Sequence, residues 1–271
     1  TVHTAFNHPI VVAKQLATLD QLSNGRIGLN VVAGWNKPEY DAFGVDLPSE
    51  HSDRYAMAQE WFDYVTRLWK EDHAFDWDGT FFRGKGVYGR PHPIQSRIPV
   101  INAAASEEGR AFAMRNADFL FTPVFDFDQA KATVDEISQK SASVGRDVNV
   151  LTFCTVVCRP TQQEAEDYLH WYANENADWD AVDNLMTLQG MHAQSFTKEA
   201  LSMFRDRFAA GHGGFPLVGT PDHIADQLER LSETGVAGTT LSFVDYAKEF
   251  PYFRQEVLPR LEAKGLRQTV S

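Results

Sequence analysis

Polar side chains with binding chemistry interrupt or follow an apolar run in the first part of the chain. Asn30 is a lone amide in the run of residues 27–34, whose pattern is typical of a parallel strand covered on both faces. A buried amide needs partners for its donors and its acceptor, so either a neighbouring strand satisfies Asn30 or a polar ligand does. Periodicity alone favours an amide satisfied within the core. Glu39, in the turn WNKPEY, is either a ligand-binding carboxylate or a solvated loop residue, and both interpretations stay open.

Three further residues lie where helices are expected to begin. Arg54 and Tyr55 lie at the start of the helix expected after the Asn30 strand. Arg54 offers a forked positive charge, and Tyr55 offers a hydroxyl. On spacing alone, an exposed Arg54 paired with an acid such as Asp53 explains the pattern equally well. Ser106, in ASEEG at 105–109, can cap a helix while the free N–H groups of the first turn face an anion. An ordinary N-cap is the simpler interpretation of these residues by themselves.

Hydrophobic periodicity places these residues among alternating strands and helices. The strand-like runs are 27–34, 98–104, 118–123, 148–157 and 239–244. Helices are predicted at 9–23, which Asn24 and Gly25 end with a left-handed turn, and at about 52–70. This alternation predicts an α/β fold with a parallel sheet.

Three segments depart from that alternation. Residues 73–94 are rich in Gly and aromatic side chains and predict an excursion that contains a hairpin. Residues 161–211 hold three helical patterns without a clear strand, and an insertion of this length often forms a lid. GHGGFPLVGTP at 211–221 lacks the Lys-Ser/Thr of a phosphate-binding P-loop. A P-loop is therefore not expected there.

The composition fits a soluble enzyme of one domain. A chain of 271 residues that is 43% hydrophobic can bury a large core. A net charge of −12 argues against a nucleic-acid partner, which requires a concentrated basic surface. No apolar run approaches the roughly 20 residues that span a bilayer, and the first residues lack the pattern of a signal peptide. The expected location is the cytoplasm, with no membrane partner.

Cysteine and histidine usage predicts neither a redox pair nor a metal site. Cys154 and Cys158 lie four residues apart in one strand-like run, which separates them by about 13 Å at about 3.3 Å per residue. That is too far for a mutual disulfide, so we expect packed core thiols. The nine histidines show no HExxH or similar spacing.

Four segments carry a resemblance to a known family. They are AKQLATLDQLSNGRIGLNVVAGWNKPEY from Ala13, HSDRYAMAQEWFDYVTRLW at 51–69, PVINAAASEEGRAFAMRNADFLF at 99–121 and LVGTPDHIADQLERLSETGVAGTTLSFVDY at 217–246. In this order they resemble the bacterial-luciferase-like FMN-dependent monooxygenases, especially the branch with pyrimidine, alkanesulfonate and nitrilotriacetate monooxygenases. The resemblance implies a single TIM (β/α)8 barrel domain over 1–271 with a helical insertion at about 161–211. It also implies a C-terminal loop at 211–221, at whose end Thr220 and Pro221 start a helix. Because only five full strands and a possible strand tail at 1–5 are found, we expect the first barrel strands to be lacking in this chain.

The resemblance also assigns roles to the polar residues. Arg54 and Tyr55 match an Arg-Tyr pair that reaches the phosphate or ribityl chain of FMN, and Ser106 matches the phosphate end. Asn30 and Glu39 match flavin-contacting positions, with the Asn30 amide suited to the pyrimidine edge of the ring. His3 and Thr4 would lie at a strand end near the flavin face. No catalytic residue is assigned, since such residues would lie on the lacking strands.

The implied activity is that of a two-component monooxygenase. A separate NAD(P)H-dependent flavin reductase would supply reduced FMN, and O2 would serve as co-substrate for oxygenation of a small organic molecule. Family precedent suggests a homodimer or homotetramer. Two alternatives stay open: an oxidoreductase that uses the deazaflavin F420 for hydride transfer, and a non-catalytic flavin-binding protein with a shortened barrel.

Overall fold

The structure, a computed structural model, describes residues 1–48, 50–104, 106–190 and 198–268, with the backbone alone for His51 and Glu199. The described chain forms two compact units. The first holds residues 1–121 and 141–148, and the second holds residues 122–140 and those from 149 onward. The prediction of a single domain over 1–271 stays a prediction.

The first unit is built on parallel strands in the order β1-β2-β5-β6. These strands are β1 (Val2–His3), β2 (Leu29–Val32), β5 (Val100–Ala103) and β6 (Phe119–Phe121), and an antiparallel hairpin holds β3 (Phe75–Asp78) and β4 (Arg83–Val87). The helices are α1 (Pro9–Ser23), α2 (Lys37–Ala42), α3 (His51–Lys70) and α4 (Glu107–Asn116). Among the described strands, β1 pairs with β2 alone, so its other edge carries no strand.

The second unit centres on the long strand β7, which pairs in parallel with β8 and β9. Its strands are β7 (Asn149–Cys158), β8 (Phe215–Gly219) and β9 (Gly238–Ser242). It holds most of α5 (Phe127–Ser143), whose residues 141–143 belong to the first unit. Its other helices are α6 (Gln162–His170), α7 (Trp179–Leu188), α8 (Lys198–Gly211), α9 (Pro221–Glu233), α10 (Tyr246–Glu256) and α11 (Leu258–Ala263), with a π-helical turn at Trp171–Glu175. Residues 191–197 of the predicted insertion lie outside the described residues.

Local sequence explains how the site-bearing elements form. Pro9 occupies the first turn of α1, where the N–H that proline lacks would have no partner within the helix. Asn24 ends the helix with a left-handed backbone at φ 54°. In β2, Leu29 and Val31 are each 1% exposed, while Asn30 and Val32 are half-buried. Trp61 of α3 is fully buried, and its indole N–H donates to the Asn7 carbonyl at 2.7 Å.

One carboxylate fixes the hairpin to α3. Glu60 accepts hydrogen bonds from the backbone N–H groups of Thr80 at 2.9 Å, Phe81 at 3.0 Å and Phe82 at 2.9 Å. Burial raises the pKa of Glu60, but the hydrogen bonds from Phe81, Phe82, Trp77 and Thr80 together bring that pKa below its ordinary value. The turn therefore depends on an ionised Glu60.

The α/β class and the parallel pairing predicted from the sequence are confirmed, and each of the five predicted strand runs overlaps an observed strand. The expected loop at 211–221 is partly wrong, because Phe215–Gly219 form β8. Pro216 lowers the strand signal, since it offers no N–H for a sheet ladder. It is tolerated because β8 pairs with β7 alone among the described strands.

Two smaller predictions can be compared directly with the structure. Cys154 and Cys158 are free and buried, and burial raises the pKa of each thiol to about 11. They are core thiols, as expected. In the described part of the chain, no helix is both long enough and apolar enough to cross a membrane.

Candidate functional site

The first turns of α3 place a buried positive charge in the first unit. Arg54 is only 7% exposed, and its Nε atom is buried without a hydrogen-bond partner. Asp53 is exposed, and within the described residues the Arg54 side chain forms no ion pair. The exposed Arg54–Asp53 pair is therefore not what the structure shows. Because burying an unpaired charge is costly, this guanidinium is suited to receive an anion.

Tyr55 connects α3 to the first turn of α4. Burial raises the pKa of the Tyr55 hydroxyl, while nearby Arg54 and hydrogen bonding from Asn102 and Ser106 lower it. The hydroxyl lies so close to Gly109 that an added Cβ at that position would be 2.5 Å from the Tyr55 oxygen. Glycine at 109 thus leaves the space that the hydroxyl occupies.

Ser106 is the N-cap of α4, as its simpler interpretation predicted. Its Oγ accepts from the Gly109 N–H at 3.2 Å. Capping uses the oxygen as an acceptor, while the hydroxyl proton is within reach of the Tyr55 oxygen. Ser106 and the Tyr55 hydroxyl lie together, and both adjoin the positive end of the α4 dipole.

Asn30 and Asn102 are amides with one unsatisfied oxygen each. Asn30 donates through Nδ2 to the Thr1 hydroxyl at 3.3 Å, but its Oδ1 is buried without a partner. The fully satisfied core amide that periodicity favoured is therefore not observed. Asn102 is 1% exposed and donates through Nδ2 to the Val31 carbonyl at 2.8 Å, and its Oδ1 is also unpartnered. Sequence reasoning missed Asn102, although it is a lone amide in an apolar strand just as Asn30 is.

Glu39 lies in α2, half-buried, with neither an ion pair nor a side-chain hydrogen bond to another described residue. Its neighbour Tyr40 is fully buried and donates to the Ala33 carbonyl at 3.1 Å. Burial raises the pKa of Tyr40, nearby Arg54 lowers it, and Glu39 raises it. Arg54 thus acts on the hydroxyls of both Tyr40 and Tyr55.

Gly34 makes room for Tyr40. It has a φ of +108°, and a Cβ built there would be 1.8 Å from the Tyr40 oxygen. Only glycine combines this left-handed backbone with that close approach. Sequence reasoning missed this pair, whose only signal was the glycine at the end of the strand.

The end of β1 adds two more unsatisfied polar atoms. His3 Nδ1 and Thr4 Oγ1 are both buried without partners. His3 is opposite Val32 in the register of β1 and β2, and the Thr4 N–H donates to the Val32 carbonyl at 3.1 Å. The carboxyl ends of β1 and β2 therefore present a group of polar atoms that the described protein does not satisfy.

A family comparison agrees with this arrangement. The family model described as "Luciferase-like monooxygenase" matches residues 1–238. The chain belongs to the luciferase-like monooxygenase family. Parallel strands with polar residues at their carboxyl ends are the arrangement in which α/β enzymes of this kind hold their ligands.

Individual relatives match almost the whole chain. The FMNH(2)-dependent dimethylsulfone monooxygenase of Pseudomonas fluorescens (strain Pf0-1) is 33% identical over 270 residues, which are 95% of this chain and 72% of that protein. The pyrimidine monooxygenase RutA of Acinetobacter baylyi is 28% identical over 270 residues, covering 97% of this chain and 72% of that protein. The solved EDTA monooxygenase from Chelativorans sp. BNC1 superposes with a TM-score of 0.83 at 21% identity, over 97% of this chain and 72% of that one. The luciferase-like fold implied by the resemblance is confirmed.

Proposed function

We propose that this protein is an FMN-dependent monooxygenase that uses reduced FMN and O2 to oxygenate a small organic substrate. The observation that carries the proposal is the buried, unpaired Arg54 guanidinium beside Tyr55 and the N-terminus of α4. A phosphate dianion has the charge and the acceptor oxygens that this group of donors lacks. The relative named as FMNH(2)-dependent supports FMN as the phosphate-bearing ligand.

The residues present fit the phosphate end of FMN. Arg54 supplies charged N–H donors, while Tyr55 and Ser106 supply hydroxyl donors. The first-turn N–H groups of α4 add the positive end of a helix dipole. A phosphate held here would neutralise a guanidinium that has no anion among the described residues.

The unsatisfied amide suits the other end of the cofactor. Asn30 Oδ1 is a buried acceptor, and the pyrimidine edge of a flavin ring offers an N–H donor and carbonyl acceptors. Glu39 is the second ring-side contact that we propose. Bound reduced FMN supplies two electrons, so that one oxygen atom of O2 enters the substrate and the other leaves as water. The protein orients the ring and excludes water from it.

The electrons reach the protein through a second component. We propose a separate NAD(P)H-dependent flavin reductase that delivers reduced FMN, and assembly of the monooxygenase as a homodimer or homotetramer. The name of the dimethylsulfone relative, which specifies FMNH(2), supports external delivery of the reduced flavin. Size-exclusion chromatography with light scattering tests the assembly.

The deciding experiment is an anaerobic titration with reduced FMN, followed by O2 uptake. We expect saturable binding, and O2 consumption that depends on a flavin reductase and on substrate. Sulfones and pyrimidines are the first compounds to test, because the relatives are named for them. Reduced F420 serves as the control cofactor: hydride transfer from F420 without O2 uptake, or tight flavin binding without turnover of any compound, would overturn the proposal.

A further inference from the structure

The register of β1 and β2 places His3 and Asn30 on the same face of the sheet. His3 is opposite Val32, and Asn30 precedes Val32 by two residues, so the alternation of side chains along a strand directs all three to one face. A hydrogen bond agrees with this placement, because Asn30 Nδ2 donates at 3.3 Å to the hydroxyl of Thr1, two residues before His3. His3 and Asn30 are therefore diagonal neighbours on adjacent strands.

The face that carries these two side chains is less covered than the opposite one. Leu29 and Val31, whose side chains point the other way, are each 1% exposed. Asn30, Val32 and Ile101, the partner of Asn30 in β5, are all half-buried. This face thus combines apolar side chains with a few polar groups, which is the lining typical of small-molecule sites.

The described protein satisfies neither polar side chain completely. Asn30 Oδ1 and His3 Nδ1 are both buried without a hydrogen-bond partner. The His3 ring is instead held by stacking on Phe6, with ring centroids 5.3 Å apart and planes 15° from parallel. Turning the imidazole over about its Cβ–Cγ bond breaks no hydrogen bond to the described residues, so the ring can present either edge to a ligand.

The two side chains differ in what they offer. The free Asn30 oxygen only accepts, whereas an imidazole carries at least one N–H donor. A ligand that satisfies both groups therefore presents an N–H donor beside a carbonyl acceptor. The pyrimidine ring of a flavin has such an edge, and so does a free pyrimidine.

We propose that His3 donates a hydrogen bond to a carbonyl oxygen of the flavin pyrimidine ring while Asn30 accepts one from the adjacent ring N–H, a role that rests on the proposed function. Stacking on Phe6 holds the plane of the imidazole, and the pairing with Val32 fixes its position along the sheet. His3 is thus a positioning residue for the flavin ring.

Lumiflavin isolates this contact, because it carries the ring without the ribityl chain and the phosphate. His3→Phe keeps an aromatic ring against Phe6 but removes both nitrogens. In fluorescence titrations of the full chain, the Kd values of lumiflavin and FMN should each rise about three- to tenfold, the size expected for one neutral hydrogen bond. A carbonyl band of the bound flavin should move to higher frequency in infrared difference spectra, because a hydrogen bond weakens the C=O bond.

Two further variants separate recognition from packing. His3→Gln retains an N–H donor and should lose less affinity than His3→Phe. His73→Phe makes the same change at an exposed position between α3 and β3, and both Kd values should stay within twofold of the parent. If circular dichroism shows that His3→Phe is unfolded, His3→Leu takes its place with the same expected rise.

The outcomes distinguish this role from the proposed function. An unchanged lumiflavin Kd and an unchanged carbonyl band in the folded Phe or Leu variant overturn the role of His3 alone. Uracil, titrated without flavin, tests the other source of the same edge: uracil binding that weakens in the variant while flavin binding does not would overturn the assignment to the flavin. A parent protein that binds no FMN would instead overturn the proposed function.

Discussion

Replacing Gly109 with alanine tests whether the contact between α3 and α4 determines cofactor binding. In an unobstructed helix, Gly→Ala stabilises by about 1 kcal/mol. Here the new Cβ would lie 2.5 Å from both the Tyr55 hydroxyl and the Ala104 Cβ, and such overpacking costs about 1–3 kcal/mol. We expect a net loss of up to about 2 kcal/mol in the free energy of unfolding. Displacement of the Tyr55 hydroxyl should weaken FMN binding by about tenfold or more, the value of a hydrogen bond to a charged group.

Urea denaturation and FMN titration measure the two effects on the same protein. Tyr55→Phe provides the matched background, since it removes one of the two atoms nearest the new Cβ. In that background Gly109→Ala should cost less stability and should have little further effect on FMN affinity, which a double-mutant cycle quantifies. A Gly109→Ala protein that is more stable than its parent and binds FMN equally well would refute the reasoning.

Three further predictions concern separate parts of the first unit. Arg54→Ala and Ser106→Ala should each weaken binding of FMN but not of riboflavin, with the fold retained by circular dichroism, and unchanged FMN affinity in the double variant would contradict the phosphate assignment. Asn30→Leu should change the absorbance spectrum or the reactivity of bound flavin more than it changes the affinity for the phosphate end of FMN. If only the urea midpoint falls, Asn30 is a structural amide. Glu60→Gln should lower stability at pH 7 by about 1–3 kcal/mol. Because folding lowers the Glu60 pKa, the stabilisation by the ionised Glu60 carboxylate is present above the unfolded pKa of about 4.3. It is lost as the pH falls through the pKa of Glu60 in the folded protein. The two proteins should therefore converge in urea melts at acid pH, and a difference that is constant with pH would show that charge is not the cause.

The local parts of the fold could be predicted from the sequence because neighbouring residues determine them. The apolar run around Asn30 predicts β2, and Asn24 marks the end of α1. Strand β8 was missed because its Pro216 argues against a strand, while its position as a partner of β7 alone is a property of the sheet. Such a property depends on residues distant in the sequence.

The candidate site was only partly predictable for the same reason. Arg54, Tyr55 and Ser106 carry recognisable donors, and the structure places the Tyr55 hydroxyl beside Ser106. The burial of Arg54 could not be read from its spacing, which equally fitted an exposed ion pair. The β2–β5 register determines the hydrogen bond of Asn102, because the Nδ2 atom donates to the carbonyl of Val31, a residue 71 positions away in the chain. No local pattern contains that information.

Under the proposed function, the burial of Arg54 without a counter-ion among the described residues would link flavin supply to the lifetime of the protein. An unfolded chain cannot gather the donors proposed to hold the phosphate, so FMN bound in this way would favour the folded form and shift the folding equilibrium. At a free FMN concentration one hundred times Kd, this linkage adds about 2.7 kcal/mol, a large share of the roughly 5–15 kcal/mol that holds a typical domain together. A cell short of flavin would thus expose more of this protein to its proteases, and enzyme abundance would follow cofactor abundance without any dedicated regulator.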